Sequence, residues 1–275
     1  SSGESPRQPS PSQQSAGPSF VGFGKADRCP SRCLEVAMCF ARAELGLDPT
    51  QEGRTEAPTA SALIDNLQQQ ATTAGGSMSV LALDHLLNGL SEGPMRPVLL
   101  VHENGHLHML LGVVQAEDGF LFQVLHGDEI LSLIARQQLE TAGFKEAWRL
   151  AGKGEGTPIH IGSGLVRIDK IYHNFGEVGP GDDLECTFSL ANEGTTTLVM
   201  GKPQTSCSCT TTSPLENLKL NPGQRHELRL TTRSTTSASQ SHSVLLTFFE
   251  KGTGLSQHLR LRVFGSHRQP IKITP

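Results

Sequence analysis

Two cysteines four residues apart, Cys29 and Cys33, open an apolar-striped segment and could do chemistry. A cysteine becomes a nucleophile where its surroundings favour the thiolate. Cys29 is predicted at a helix start, where unpaired N–H groups favour negative charge, and two arginines flank it. The base that such a nucleophile needs can come from far along the chain. The segment ENGHLHMLLGV places His106 and His108 on one face of a predicted strand, so either could approach Cys29.

Other interpretations of these cysteines stay open at the level of sequence. Cys29 with Cys33 could be half of a zinc site, although no second pair at such spacing follows. A disulfide between them would span one helical turn, which is an awkward geometry. Cys33 and Cys39 lie on or near the apolar stripe and are predicted to be core residues, because cysteine buries well.

A second pair, Cys207 and Cys209, is separated by one serine. Residues i and i+2 of a strand point to the same face, so the two thiols could chelate a soft metal or be redox-linked. The alternative is structural packing or pairing, which is favoured because no histidine or methionine cluster accompanies them in sequence. A C-x-C disulfide closes a small ring, and pairing of either thiol with Cys186 would be easier, so their redox state stays open.

The elements that would position the first pair are of mixed type. Apolar residues at helical spacing predict a helix over 26–46, which Asp27 can cap and Gly46 can end. Further helices are predicted at 59–73 and 80–90, and strands at 98–101, 106–114 and 119–125. The segment FKEAWRLAG is predicted as a closing helix. Residues 20–152 are therefore predicted to form an α/β domain.

Beyond a Gly-rich linker at 153–162, the apolar period changes to two. Leu184, Cys186, Phe188 and Leu190 alternate with polar residues, and short strands are separated by NEG, NPG and KGTG turns. This pattern predicts an antiparallel β-sandwich over 163–266, with a tail at 267–275. Residues 1–19, rich in Ser, Pro and Gln, are predicted to be a disordered leader.

Composition narrows the class of partner. The net charge is −4 without a basic block, and there is one Trp and one Tyr, which argues against nucleic acid. The longest apolar runs are too short to span a bilayer, so membrane attachment would need an anchor that this chain does not show. No cofactor and no bound metal is predicted.

At DRCPSRCLEVAM and GHLHMLLG the N-terminal half resembles the bacteriocin-processing (double-glycine) cysteine peptidases, a papain-like group. The cysteine spacing and Leu34 match that family's nucleophile helix, and Gly112 follows the strand histidine at the family's distance. A closing F-x-x-x-W segment before a glycine also matches. The resemblance implies that Cys29 is the nucleophile and His106 its base, with glycine-rich leader peptides as substrates.

The sequence departs from that family at two catalytic positions. The family's oxyanion glutamine is absent from VGFGKAD, and loss of one such donor lowers the rate about 100- to 1000-fold. His126 stands where the orienting aspartate is expected, which leaves Asp128 as the candidate third catalytic residue. The resemblance therefore implies either a slow peptidase or one that has lost hydrolysis.

The C-terminal half resembles a Hydin-like immunoglobulin-type domain of unknown function from bacterial envelope proteins. The resemblance rests on HNFGEVGPGDDLECTFSLANEG, on TSCSC and on NPG, which occur in the expected order. Sandwiches of this type generally bind other proteins or space them apart, an expectation from fold analogy.

The sequence thus predicts an α/β (α+β) papain-like cysteine-peptidase fold followed by an immunoglobulin-like β-sandwich. The first hypothesis is Cys29–His106 hydrolysis of peptide bonds in a protein facing the bacterial cell envelope, periplasmic or exported. The second is an inactive scaffold that binds a peptide or protein. The third is a thiol or soft-metal function at Cys207 and Cys209.

Overall fold

The computed structural model describes residues 30–51, 59–90, 93–116, 119–126, 131–152, 154, 156–235 and 239–267. The first part of the chain contains helices α1 (Pro30–Glu44), α2 (Ala60–Thr73), α3 (Leu83–Asn88) and α4 (Arg136–Thr141), with strands β1 (Ser77–Leu81), β2 (Gly93–His102), β3 (Leu107–Ala116), β4 (Gly119–Leu125), β5 (Leu131–Ala135) and β6 (Phe144–Ala151). These strands form one antiparallel sheet in the order β1-β6-β2-β3-β4-β5.

Helix α1 covers this sheet with its apolar face, as the stripe predicts. Phe40 and Ala41 are fully buried, and the helix packs on β2 and β3. The helix ends where Gly46 takes a φ of +71°, a left-handed conformation that glycine adopts without steric penalty. The N-H of Leu47 then bonds to the carbonyl of Arg42 at 2.8 Å, which closes the end of the helix.

The second part of the chain is a β-sandwich. It contains β7 (Thr157–Ile161), β8 (Gly164–Ile168), β9 (Tyr172–Val178), β10 (Asp183–Asn192), β11 (Leu198–Met200), β12 (Gln204–Thr205), β13 (Thr210–Thr212), β14 (Lys219–Leu220), β15 (Arg225–Arg233), β16 (Ser239–Glu250) and β17 (Ser256–His267). One sheet has the order β13-β15-β10-β8-β7. The other has the order β14-β11-β16-β17-β9, with β12 also paired to β16.

The inner faces of the two sheets form one apolar core. Its buried members come from alternate positions of the strands, as the period of two predicts, and include Phe188, Leu190, Leu228, Leu246, Phe248 and Leu261. Cys186 lies in this core and is 6% exposed, as the sequence predicts.

The two parts share a buried junction. Tyr172 of β9 donates to Oε1 of Glu44 in α1 at 3.1 Å, and Phe264 of β17 packs in the core of the first part. The backbone N-H of His160 donates to Oδ2 of Asp48 at 3.0 Å. Strand β7, which pairs with β8, lies inside the predicted linker at 153–162, so this part of the linker belongs to the sandwich.

The predicted α/β papain-like class is wrong. Among the described residues, strands hold 53% and helices 18%, so this part of the protein is mostly β. The predicted closing helix is strand β6, which pairs with β1 on one side and β2 on the other. Phe144, Ala147 and Trp148 have helical spacing, but pairing along both edges outweighs that local preference.

The remaining predicted boundaries are partly outside the described residues. The leader at 1–19 lies outside them, as does the tail beyond His267. Within the described part of the chain, no helix combines the length and apolar character needed to cross a bilayer.

Candidate functional site

Cys207-Ser208-Cys209 forms the turn at which the chain passes from one sheet of the sandwich to the other. The preceding strand, β12, pairs with β16, and the following strand, β13, pairs with β15 in the opposite sheet. The turn is held on both sides. The N-H of Ser206 donates to the carbonyl of Ser243 at 2.9 Å, and the N-H of Arg233 donates to the carbonyl of Cys209 at 3.1 Å.

The two sulfurs form a disulfide and meet a histidine. Cys207 and Cys209 are bonded across a Cα–Cα distance of 5.3 Å. The Nδ1 atom of His242, on β16, lies 3.4 Å from Sγ of Cys207 and 3.8 Å from Sγ of Cys209. The hydroxyl of Thr210 lies 3.3 Å from Sγ of Cys207. Cys207, Cys209 and His242 are half-buried, so the site is reachable from solvent.

The hydrogen bonds of the His242 ring determine which of its two nitrogens carries the hydrogen. Its Nε2 lies 3.2 Å from Oε1 of Gln240, and the same Oε1 accepts from the N-H of Thr235 at 3.3 Å. Because a backbone N-H can only donate, that atom of Gln240 is the amide oxygen. Nε2 therefore carries the hydrogen, and the lone pair of Nδ1 points to the sulfurs. Burial lowers the pKa of His242, which favours the neutral ring.

This arrangement suits a sulfur pair that changes state. In the disulfide neither sulfur carries a hydrogen, so neither can donate to Nδ1. After a two-electron reduction, the thiol of Cys207 is within reach of that lone pair. Cys186 is a chemical contrast within the same sandwich, because burial raises the pKa of its thiol to about 12 and keeps it in the unreactive form.

Of the three predicted catalytic residues, His106 alone lies in the described part of the chain. Cys29 and Asp128 lie outside the described residues. His106 lies immediately before β3, and its ring stacks on that of His108 with centroids 6.3 Å apart, so the two share a face as predicted. Burial, and then the proximity of His102, lowers the pKa of His106.

A cluster of histidine rings surrounds the predicted base. The ring of His126 meets that of His108 edge-on at 5.1 Å, and Phe144 meets both His102 and His108 at 5.5 Å. His102 is held by a 2.6 Å contact from Nε2 to the carbonyl of Ala142. His108 is 5% exposed, and burial followed by the neighbouring histidines lowers its pKa to about 3.

Sequence reasoning missed His242 as a member of the C-x-C site. It lies more than 30 residues beyond the cysteines, in a strand read only for its apolar alternation. Pairing of Thr205 with Val244 brings the two segments together. A correct pairing of β12 with β16 would have been the signal, because His242 lies two residues from Val244 on the same face.

The comparisons with known proteins concern mainly the sandwich. The model of a family described as "Protein of unknown function (DUF1573)" matches residues 166–261, a range that includes Cys207, Cys209 and His242. No curated protein matches the chain. This part of the chain is therefore similar to that family, and its fold is an immunoglobulin-like sandwich.

Several solved structures are similar at low identity. The ASH/PapD-like domain of human CEP192 is 16% identical, covers 38% of this chain and 86% of that chain, and has a TM-score of 0.33. The CsuC–CsuE chaperone–tip adhesion subunit complex of Acinetobacter baumannii is 18% identical over 38% and 52%, with a TM-score of 0.29. A Porphyromonas gingivalis W83 protein of unknown function is 13% identical over 64% and 86%, with a TM-score of 0.30.

The resemblances drawn from the sequence are corrected by these findings. The double-glycine peptidase assignment is wrong, because the chain is mostly β and its closing F-x-x-x-W segment is a strand. The expected descriptions of the protein as a peptidase, as papain-like and as a hydrolase are wrong for the same reason. The family found for the sandwich is DUF1573 rather than the expected Hydin-like domain. An immunoglobulin-like sandwich of this kind is compatible with a scaffold or binding role.

Proposed function

We propose that this protein is a scaffold or protein-binding module of the bacterial cell envelope, and that Cys207 and Cys209 are its redox centre. The observation that carries the proposal is the position of His242 Nδ1, 3.4 and 3.8 Å from the two sulfurs. A disulfide persists in oxidising compartments such as the periplasm, which supports an envelope location.

A purely structural role explains the C-x-C disulfide poorly. In the chain-entropy account, a cross-link stabilises by closing a loop in the unfolded chain, and its effect grows with loop length. The loop closed here contains three residues, whose closure is worth about 1.6 kcal/mol, against about 4.7 kcal/mol for 100 residues. The apolar core between the sheets, which includes Phe188 and Phe248, holds the sandwich beside it.

The redox reaction that we propose is thiol–disulfide exchange between the Cys207–Cys209 disulfide and a protein partner. The reductant is a dithiol or two monothiols, which we assign to that partner. A partner thiolate attacks one sulfur of the pair, forms a mixed disulfide and releases the other sulfur as a thiolate, which takes up a proton. A second partner thiol then resolves the mixed disulfide. The partner leaves with its own disulfide, and Cys207 and Cys209 have gained two electrons and two protons.

The surroundings of the turn favour such a partner. Gln204, Thr205, Ser206 and Ser208 are exposed around the sulfurs. These short polar side chains leave room for an approaching chain, and they carry no charge that would repel a thiolate. His242 lies behind the sulfurs as a hydrogen-bond acceptor for the reduced form.

The test is the reduction potential of the pair, measured in thiol redox buffers with alkylation and mass spectrometry of Cys207 and Cys209. We expect a potential well above the range below about −300 mV that is typical of structural disulfides. His242→Leu removes the acceptor for the thiol, so the potential should fall by about 10–30 mV, the equivalent of one hydrogen bond.

The matched control is His160→Leu, since the His160 side chain is exposed and lies on β7 rather than beside the sulfurs. It should leave the potential unchanged. A pair that resists reduction down to about −300 mV would mark the disulfide as structural. Equal potentials for the two histidine variants would remove His242 from the centre.

A further inference from the structure

We propose that the reduced forms of Cys207 and Cys209, together with His242, bind one Cu(I) ion. The inference rests on the proposed redox function, because thiolates rather than a disulfide are the ligands. No neighbouring chain is needed, since the three side chains come from one turn and one strand of the same sandwich.

The distances already approach those of a three-coordinate site. The three ligand atoms lie within 4.8 Å of one another. Metal–sulfur bonds of about 2.3 Å and metal–nitrogen bonds of about 2.0 Å place sulfur and nitrogen about 3.7 Å apart in a trigonal arrangement. The Nδ1–Sγ distances are 3.4 and 3.8 Å. The separation between the two sulfurs is the distance that must increase, and reduction of the disulfide permits it.

The surroundings of the ligands are those that metal sites require. A ligating histidine usually donates its other ring N-H to an oxygen, which fixes the tautomer and the ring orientation. Gln240 Oε1 accepts this hydrogen bond from Nε2 of His242, and the N-H of Thr235 donates to the same oxygen. The hydroxyl of Thr210, 3.3 Å from Sγ of Cys207, can donate to a thiolate.

The donor set favours Cu(I) among the available cations. Thiolate sulfur is a soft ligand and selects Cu(I), Zn(II) or iron–sulfur chemistry. Structural zinc sites are almost always four-coordinate, whereas this group of described residues provides three ligands. Two thiolates and one imidazole match a three-coordinate monovalent soft ion.

Binding and redox state are coupled. Reduction by the partner thiols adds two electrons and two protons to the pair. Cu(I) then replaces the two thiol protons without changing its own oxidation state. When the disulfide form of the partner takes up the two electrons by thiol–disulfide exchange, it becomes a dithiol and the Cys207–Cys209 disulfide forms again. The ion then loses its two thiolate ligands and is released. The centre would therefore hold copper when its surroundings are reducing and lose it when they are oxidising.

The test uses the full chain, reduced and desalted without oxygen, with Cu(I) titrated against the colorimetric chelator bicinchoninate. The background is the Cys207→Ser/Cys209→Ser double variant, which retains the other four cysteines. We expect the wild type to bind one Cu(I) more than this variant, and the oxidised wild type to bind no excess. Each single serine variant should lose that ion, and His242→Asn should weaken its binding about 10- to 100-fold.

Cys186→Ala and His160→Asn are the matched controls, and both should bind as the wild type does. Alkylation of a parallel sample separates the two proposals. Reduced thiols without excess copper would overturn the metal site and leave the redox function standing, whereas a disulfide that resists reduction would overturn both. Zn(II) displacing Cu(I) at equal concentration would overturn the choice of ion.

Discussion

Nδ2 of Asn174 in the sandwich donates to Oε1 of Gln123 in the first sheet across 2.7 Å. Both residues are buried, at 8% and 0% exposure. Nε2 of Gln123 donates to the hydroxyl of Ser266 at 2.6 Å, and Oδ1 of Asn174 accepts from the N-H of Gly176 at 3.0 Å. The amide groups therefore satisfy one another inside the junction between the two parts of the chain.

Removing Gln123 from this network should destabilise the protein. In Gln123→Leu, the amide of Asn174 and the hydroxyl of Ser266 lose a buried partner, which should lower the free energy of unfolding by about 1–3 kcal/mol. Urea denaturation followed by circular dichroism measures the change. Gln115→Leu, on the exposed end of β3, is the control. Equal effects of the two substitutions would show that the junction network adds nothing to stability.

The Gly-rich connection offers a second test of the junction. Gly156 has a φ of +83°, and a Cβ there would lie 2.4 Å from the carbonyl oxygen of Ile168. Gly154 has a φ of +75°, but no described atom would lie within 4 Å of its Cβ. Gly154→Ala should therefore cost about 1–2 kcal/mol of backbone strain.

Gly156→Ala adds a backbone clash to a similar strain, so we expect its melting temperature to fall further than that of Gly154→Ala. Differential scanning calorimetry compares the two variants directly. If both melt alike, the close approach of Gly156 to β8 is absent in solution.

His108 should make the protein sensitive to mild acid. Its folded pKa is about 3, and the unfolded value is about 6.5, so the unfolded chain binds the extra proton first as the pH falls. Stability should be fully present above about pH 6.5 and should fall by about 1.4 kcal/mol per pH unit toward pH 3. Urea denaturation of the wild type and His108→Gln at pH 7 and pH 5 tests this. The free energy of unfolding of the variant should differ less between pH 7 and pH 5 than that of the wild type. An equal difference in the two proteins would show that His108 is not the source of the acid sensitivity.

Glu250 should act in a lower pH window. Hydrogen bonds from Ser163 and Thr253 hold the pKa of its carboxyl below the usual range. The ionised form is thus favoured in the folded state, and its contribution is present above about pH 4.3 and lost as the pH falls through the folded pKa. The melting temperature of Glu250→Gln should be lower than that of the wild type at pH 7. The difference between the two melting temperatures should become smaller below pH 4. A gap that widens in acid would reverse the sign.

Reduction of Cys207–Cys209 should leave the fold intact. A three-residue loop predicts a loss of about 1.6 kcal/mol, so the melting temperature should fall by a few degrees. The difference in melting temperature between the oxidised wild type and the Cys207→Ser/Cys209→Ser variant measures this loss. Melting of the variant with and without reductant shows any separate effect of the other thiols. Unfolding of the variant at room temperature would show that the disulfide holds the sandwich together.

Local patterns in the sequence predicted some elements and failed at others for a physical reason. The stripe of α1 and the period of two in β10 were sufficient because one face of each is buried. Phe144, Ala147 and Trp148 have helical spacing, yet they lie in β6, because two neighbouring strands satisfy its backbone. Such pairing depends on distant segments that no local pattern contains.

The candidate site shows the same division. The cysteine pair could be recognised from its spacing, and its two possible functions could be stated. The third member, His242, depends on the pairing of β12 with β16, and the role of Gln240 depends on a side-chain hydrogen bond within β16. Tertiary register therefore turns a two-residue motif into a three-residue centre.

Strand β9 ends its sheet, and a strand in that position usually has an edge of unpaired N-H and carbonyl groups to which another chain can add. Here β9 lies against β2 and β3, and Asn174 donates to the carbonyl of Leu111 at 3.4 Å. The first part of the chain thus acts as a cap on one side of the sandwich. Copies of the protein could join into a continuous sheet through β9 after the cap had detached, so the stability of the junction is also a barrier to polymerisation.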